Sequence, residues 1–162
     1  MDHEFEIVPV PKILYSDYLN KTFQNCLICD CALTEEILYK VQKAYSGTEC
    51  LMEAAICFHC MEEMMKEMSK ESQENLTRYF HKVKPLGENY CELCQKEIKS
   101  TDKRVLGGIC QGPWLVHPME YLCEDCLLKA QELLSEKTRD YRQRFREHHF
   151  PGIPTEGIPV II

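Results

Sequence analysis

MEAAICFHC (residues 52–60) and MEYLCEDC (residues 119–126) are two versions of one text, and they decide how the rest of the chain is read. Each runs from Met-Glu through apolar residues into a C-x-x-C pair. Outward from there, each is preceded by a second pair, CLIC (residues 26–29) and CELC (residues 91–94). Cys26 and Cys91 lie 65 residues apart and Cys57 and Cys123 lie 66 apart, so the chain reads as an internal duplication. Random placement of the 11 cysteines in 162 residues gives roughly one C-x-x-C pair, so four of them are an excess that needs a chemical reason.

Metal ligation supplies that reason. Two intervening residues let one tight turn aim two sulfurs at one ion, and a second such turn completes a tetrahedron at about 2.3 Å per Zn–S bond. The offsets predict two sequential sets, Cys26, Cys29, Cys57 and Cys60 on one Zn2+, and Cys91, Cys94, Cys123 and Cys126 on another. With four protein sulfurs each, neither ion keeps a position for water, so both read as structural. Thioredoxin-type redox chemistry is an alternative, but it uses one C-x-x-C in a longer βαβ setting. Rubredoxin-like iron is another, although the glycines expected just after such knuckles are missing. Cys31, Cys50 and Cys110 fall outside the pattern and read as small buried hydrophobes or partly exposed thiols. Cys31 and His59 are the candidate substitute ligands.

Periodicity places these residues on elements. After Cys57, the apolar positions Met61, Met64, Met65, Met68, Leu76, Tyr79 and Phe80 step mostly by three and four, which predicts one long helix. Leu127, Ala130, Leu134, Tyr141 and Phe145 predict another after Cys123. The second pair of each half therefore opens a helix, at the positive end of its dipole. EILYKVQKAY (residues 36–45) alone could pass for a helix, with Leu33, Ile37, Leu38, Val41 and Tyr45 on one face. Its counterpart in the second half holds Gly107 and Gly108 and could not, so between the pairs of each half the chain reads as a β-hairpin. Knuckle, hairpin and helix resembles the treble-clef arrangement of zinc fingers over residues 25–83 and 89–149. The gap of 27 or 28 residues inside each ligand set implies an elaborated hairpin.

The expected fold is thus a small zinc-stabilised α+β protein of two tandem treble-clef-like repeats packed as one pseudo-symmetric unit, apolar helix faces against each other. The divisions are an extended N-terminal segment (1–24), two four-cysteine repeats (25–83 and 84–149) and a Pro/Gly tail (150–162). Each repeat is too short to bury much core alone. Structural zinc contributes on the order of 10–16 kcal/mol of apparent binding free energy, which appears as folding free energy.

Charge narrows the function. The formal net charge is −7, and two all-thiolate zinc sites bring it to about −11. Such a surface repels phosphate backbones, which disfavours nucleic acid as a partner. No apolar run approaches the roughly 20 residues that span a bilayer, and the N-terminus shows no secretory pattern, so a cytoplasmic protein without a membrane partner is expected. The sequence sets no oligomeric state.

The residues outside the cysteine pattern read as follows. The methionines of the first helix are core with a subsidiary role as a partner surface around Met64 and Met68, and His117 is a core histidine. Arg139, Arg142, Arg144 and Arg146 form a solvated helix end, and the tail offers an apolar tip. The expected function is a zinc-binding protein-interaction or scaffold module, not an enzyme, whose partner is another protein. The alternative is a nucleic-acid-binding or transcriptional regulatory zinc finger, which requires the arginines of 139–146 to share a face with Lys103 and Arg104. CELC, His117 and LCEDC also resemble the motif order of treble-clef HNH nucleases. However, Pro118 follows His117, no acid immediately precedes it, and no histidine follows Cys126 in the next turns, so no catalytic residue is assigned.

Overall fold

A computed structural model describes residues 6–81, 87 and 89–151. The two halves repeat one local plan. In the first, β2 (Leu38–Ser46) turns into β3 (Glu49–Cys57). Gly47 sits in that turn at φ 61°, a left-handed conformation that glycine adopts without a Cβ penalty. In the second, β4 (Lys103–Gln111) turns at Gly112, φ 55°, into β5 (Trp114–Leu115). The returning arm then breaks over residues 116–119 and resumes on β4 as β6 (Glu120–Cys123). Pro118 in that break has no N–H to give to a ladder.

Register explains why the repeat offset steps from 65 to 66. In the first hairpin Ala44 faces Met52 and Tyr45 faces Cys50, so one residue bulges out of β3. In the second, Leu115 faces Cys110 and Tyr121 faces Leu106, which leaves one more residue in the arm than the first half has.

The halves share one six-stranded sheet. β1 (Val8–Pro9) lies outside β5, the order is β1-β5-β4-β2-β3, and β6 also pairs with β4. At the centre β2 and β4 run antiparallel from the Leu38–Gln111 pair to the Ser46–Lys103 pair. Position 42 maps onto 107 under the 65-residue offset, and Gln42 and Gly107 are partners in this ladder. A local twofold axis therefore runs through that pair. A Cβ on Gly107 would stand 2.7 Å from the Val41 carbonyl oxygen, and one on Gly108 would stand 2.8 Å from Leu14 Cδ1. Glycine there lets the second half close on the first and on the N-terminal segment.

The single long helix expected in each half is two helices, α1 (Phe58–Glu67) and α2 (Lys70–Phe80), then α3 (Glu124–Glu132) and α4 (Glu136–His149). The apolar spacing is right, but Ser69 and Ser135 interrupt it as N-caps. Ser69 Oγ accepts from the Ser72 N–H at 3.1 Å and Ser135 Oγ from the Thr138 N–H at 3.3 Å. Such a cap satisfies one of the donors that open a new helix. The two caps also serve each other: the Ser69 N–H donates to Thr138 Oγ1 (2.9 Å) and the Ser135 N–H to Ser72 Oγ (2.8 Å). Ser72 and Thr138 are fully buried in this four-hydroxyl cluster.

After the cap each half's second helix crosses to the other half. Tyr79 OH on α2 donates to the Cys126 carbonyl at 2.9 Å, Asn75 Nδ2 donates to the Leu133 carbonyl at 3.1 Å, and Phe80 packs into the second apolar cluster. Phe145 on α4 packs into the first cluster. Shared strands and exchanged helices, rather than helix faces alone, hold the halves together. The first cluster gathers Leu14, Tyr39, Val41, Ile56 and Met64; the second gathers Met52, Ile98, Val105, Leu122 and Leu127.

Several side chains depart from expectation. His117 is exposed, with Nδ1 3.1 Å from the carbonyl of Pro118, because the 116–119 break lifts it off the sheet. Arg142 is buried and Arg146 partly so, because α4 lies against the body instead of ending in solvent. Burial, then the neighbouring Arg146, pulls the Arg142 guanidinium down to about 10. Met64 and Met68 are buried, which removes them from any partner surface; Met65 is the exposed one.

The N-terminal segment is also more than a linker. A 3-10 turn (Lys12–Leu14) brings Leu14 into the core, and the Tyr15 carbonyl accepts from Lys43 Nζ at 2.7 Å. The Pro/Gly tail falls outside the described residues beyond Pro151.

Candidate metal centres

Each knuckle is a tight turn closed by its own backbone. In the first, the Cys26 N–H donates to the Cys31 carbonyl (3.0 Å) and the Asp30 N–H to the Cys26 carbonyl (3.0 Å). In the second, the same bonds join Cys91 to Lys96 (2.9 Å) and Gln95 to Cys91 (2.8 Å). The residue after each second cysteine is left-handed, Asp30 at φ 60° and Gln95 at φ 64°. That is where a glycine was expected for a rubredoxin-like knuckle. The missing glycine therefore does not alter the turn, and it is no argument about which metal sits there.

Docking follows the same plan twice. The Leu27 N–H donates to the Ala55 carbonyl at 2.8 Å, and the Glu92 N–H to the Tyr121 carbonyl at 2.9 Å. These bonds hang each knuckle on the arm that leads into its second C-x-x-C. Cys57 and Cys123 are the N-caps of α1 and α3, which puts Cys60 and Cys126 in the first turn of each helix.

The outcome is two groups of four sulfurs, Cys26, Cys29, Cys57 and Cys60, then Cys91, Cys94, Cys123 and Cys126. Within each group every Sγ lies within 4.8 Å of the others, so each could hold a metal ion. Cys29 Sγ and Cys57 Sγ are 3.8 Å apart, and Cys94 Sγ and Cys123 Sγ 3.7 Å. A tetrahedron with Zn–S bonds of about 2.3 Å has an S···S edge of about 3.8 Å. A disulfide needs about 2.05 Å, and all eleven cysteines are free of one. The sulfurs are thus at a distance suited to a shared cation.

Electrostatics point the same way. The Cys31 backbone N–H brings the Cys29 thiol down to about 6. Burial raises Cys91, but the N–H groups of Cys94, Cys123 and Leu93 outweigh it and bring it down to about 7. Burial, then the neighbouring sulfurs, pushes Cys60 and Cys126 well up. Each group thus mixes thiols ready to ionise with others held protonated by crowding. A bound cation resolves that conflict, since coordination deprotonates a thiol outright.

The leftover residues sort by position. Cys31 lies beside the first group, its thiol pushed up to about 12 by its hydrogen bond to Cys29 and by burial, but outside the four-sulfur set. His59 and Asp125, inside the helical pairs, are exposed. Cys110 is fully buried beside Tyr39, and Cys50 sits half-buried on β3. The two left-handed residues and the N–H groups aimed at sulfur leave no mark in the sequence, because only the folded turn puts them there. A third group, Asp17, Cys50 and Glu53, also meets within 4.8 Å, but Lys43 Nζ already occupies its centre of charge, 2.7 Å from Asp17 Oδ1 and 3.7 Å from Glu53 Oε2.

No helix among the described residues is long and apolar enough to cross a membrane. Compared with known protein families, curated proteins and solved structures, the chain matches none.

Proposed function

We propose that this chain is a cytoplasmic, non-enzymatic protein-interaction or scaffold module, folded around two structural Zn2+ ions in two treble-clef-like halves. The observation that carries the reading is the pair of closed four-sulfur groups, with S···S separations of 3.8 and 3.7 Å that fit the edge of a zinc–thiolate tetrahedron. Four protein ligands leave a metal nothing to do but hold the fold. The closed geometry offers no polarised water and no substrate position, so the chemistry supports assembly rather than turnover.

Charge placement supports a protein partner over a nucleic acid. The basic face that the alternative needs is dispersed. Arg142 is buried, and Arg104 donates to the carbonyls of Gly47 (2.9 Å), Ser100 (3.3 Å) and Asp102 (2.9 Å) while stacking on Tyr45 at 5.2 Å. Lys103 faces Glu124 at 4.0 Å. Arg139 and Arg144 remain exposed on α4, but the net charge of −7 is a field that a phosphate backbone would meet at a cost.

The test is elemental analysis of chain purified under reducing, chelator-free conditions, paired with binding assays at about 150 mM salt. Two zinc per chain, little iron and no sub-micromolar affinity for DNA or RNA are expected. One metal or none, or iron in place of zinc, defeats the metal reading. Tight nucleic-acid binding promotes the alternative.

A further inference from the structure

Among the described residues, one edge of the sheet is covered by a strand and its pseudo-symmetric counterpart is not. Trp114 and Leu115 of β5 face Gln111 and Cys110 on β4, and under the 65-residue offset they correspond to Glu49 and Cys50, which face Ser46 and Tyr45 on β2. On the outer side of β5 lies β1, with Val8 opposite Leu115 and Pro9 opposite Trp114, and the Val10 N–H reaches the Pro113 carbonyl at 3.0 Å. On the outer side of residues 49 and 50, β3 ends the sheet, and no described strand pairs with it. Burial differs at one of the two equivalent pairs: Leu115 is 3% exposed whereas Cys50 is half-buried, while Trp114 and Glu49 are both exposed.

The chain carries a second copy of the covering sequence. β1 lies in EIVPV (residues 6–10), and residues 156–160 read EGIPV. The acid, the β-branched residue, the proline and the valine recur in order. Proline belongs in such a segment because it can pair on one side only, as an edge strand does. The approach is favourable as well. Phe150, just past α4, lines a recess of about 390 Å3 between Asp17 and Tyr18 of the N-terminal segment and Cys50, Leu51, Met52 and Glu53 of β3, so the described chain leaves α4 beside β3. The five intervening residues, 151–155, reach up to about 17 Å when extended.

We propose that residues 156–160, which lie outside the described residues, dock as a strand on the outer edge of β3 at residues 49–51, as β1 docks on β5. The docked strand completes the twofold plan and shields an edge that would otherwise invite pairing between molecules. The proposal stands apart from the function given above, because its assay contains no partner.

The test compares the full metal-loaded chain with a chain ending at Pro151. It reads amide exchange at residues 49–51 and alkylation of Cys50, the latter resolved by peptide mass. Both rates are expected to rise about tenfold on truncation at unchanged metal content. A synthetic peptide of residues 152–162 added in trans restores protection, and the same peptide with Val160→Asp does not. The full-length Val160→Asp variant gives the same readouts should truncation disturb the fold. Equal rates in the full-length, truncated and Val160→Asp chains overturn the proposal. So does protection that vanishes on dilution together with a dimer in sedimentation, which would place the segment on a second copy.

Discussion

At one pair of equivalent positions the two halves could hardly differ more: the first has Lys43 and the second has Gly108. Lys43 is fully buried, its ammonium held by Asp17, Glu53 and the Tyr15 carbonyl. Gly108 leaves room for the side chains of Leu14 and Leu115. One N-terminal strap makes both differences, since it covers β5, drops Leu14 onto Gly108, and then crosses to Lys43 and Glu53. A duplication supplies two equal faces, and a single strap can only treat them unequally. Near-symmetric sites therefore sit in unequal surroundings within one cooperative unit.

Removing metal should have the largest effect. Chelation is expected to unfold both halves in one transition, because β2 and β4 share nine residue pairs and α2 and α4 are exchanged. Each site is worth on the order of 10 kcal/mol, comparable to the whole stability of a small domain. Cys60→Ser and Cys126→Ser should each cost one metal and loosen both halves, as read by amide exchange across the shared sheet. A variant that melts only its own half would show the halves to be independent.

Lys43→Met should come next. It leaves Glu53 and Asp17 without their buried counter-charge, and breaking a buried pair costs about 3–5 kcal/mol. Asp17 is largely exposed, so the lower end applies. Denaturant unfolding of metal-loaded protein measures it, and a loss under about 1 kcal/mol would mean that the strap is not anchored there.

The hydroxyl cluster should behave symmetrically where the strap does not reach. Ser72→Ala strips the Ser135 N–H of its acceptor, and Thr138→Val does the same to the Ser69 N–H. Each should cost about 1–3 kcal/mol. The double variant should cost less than the sum, because the groups form one network.

The smallest effect is a gain. Gln95→Gly relieves a left-handed residue and should stabilise by about 1 kcal/mol, while Asp30→Gly should give less, since Asp tolerates that conformation better. Equal gains would mean that the two knuckles do not differ in strain.

Much of the molecule was legible from spacing. The duplication, the grouping of the eight cysteines and the α+β class follow from spacing and local periodicity, because a C-x-x-C turn is a short-range fact, whereas the first hairpin was legible only through the glycines of its counterpart. The helix breaks were partly legible: Ser69 and Ser135 carry the cap chemistry, but a run of apolar residues in step on both sides masked it. What only the tertiary structure decided is where each element goes. Nothing in the periodicity of α2 or α4 says that it packs on the opposite half. Nor does anything local pair Gln42 with Gly107, bury Arg142, or lift His117 off the sheet. Those outcomes depend on which surfaces are left to cover once the strands have paired, and that is a property of the whole chain rather than of any window within it.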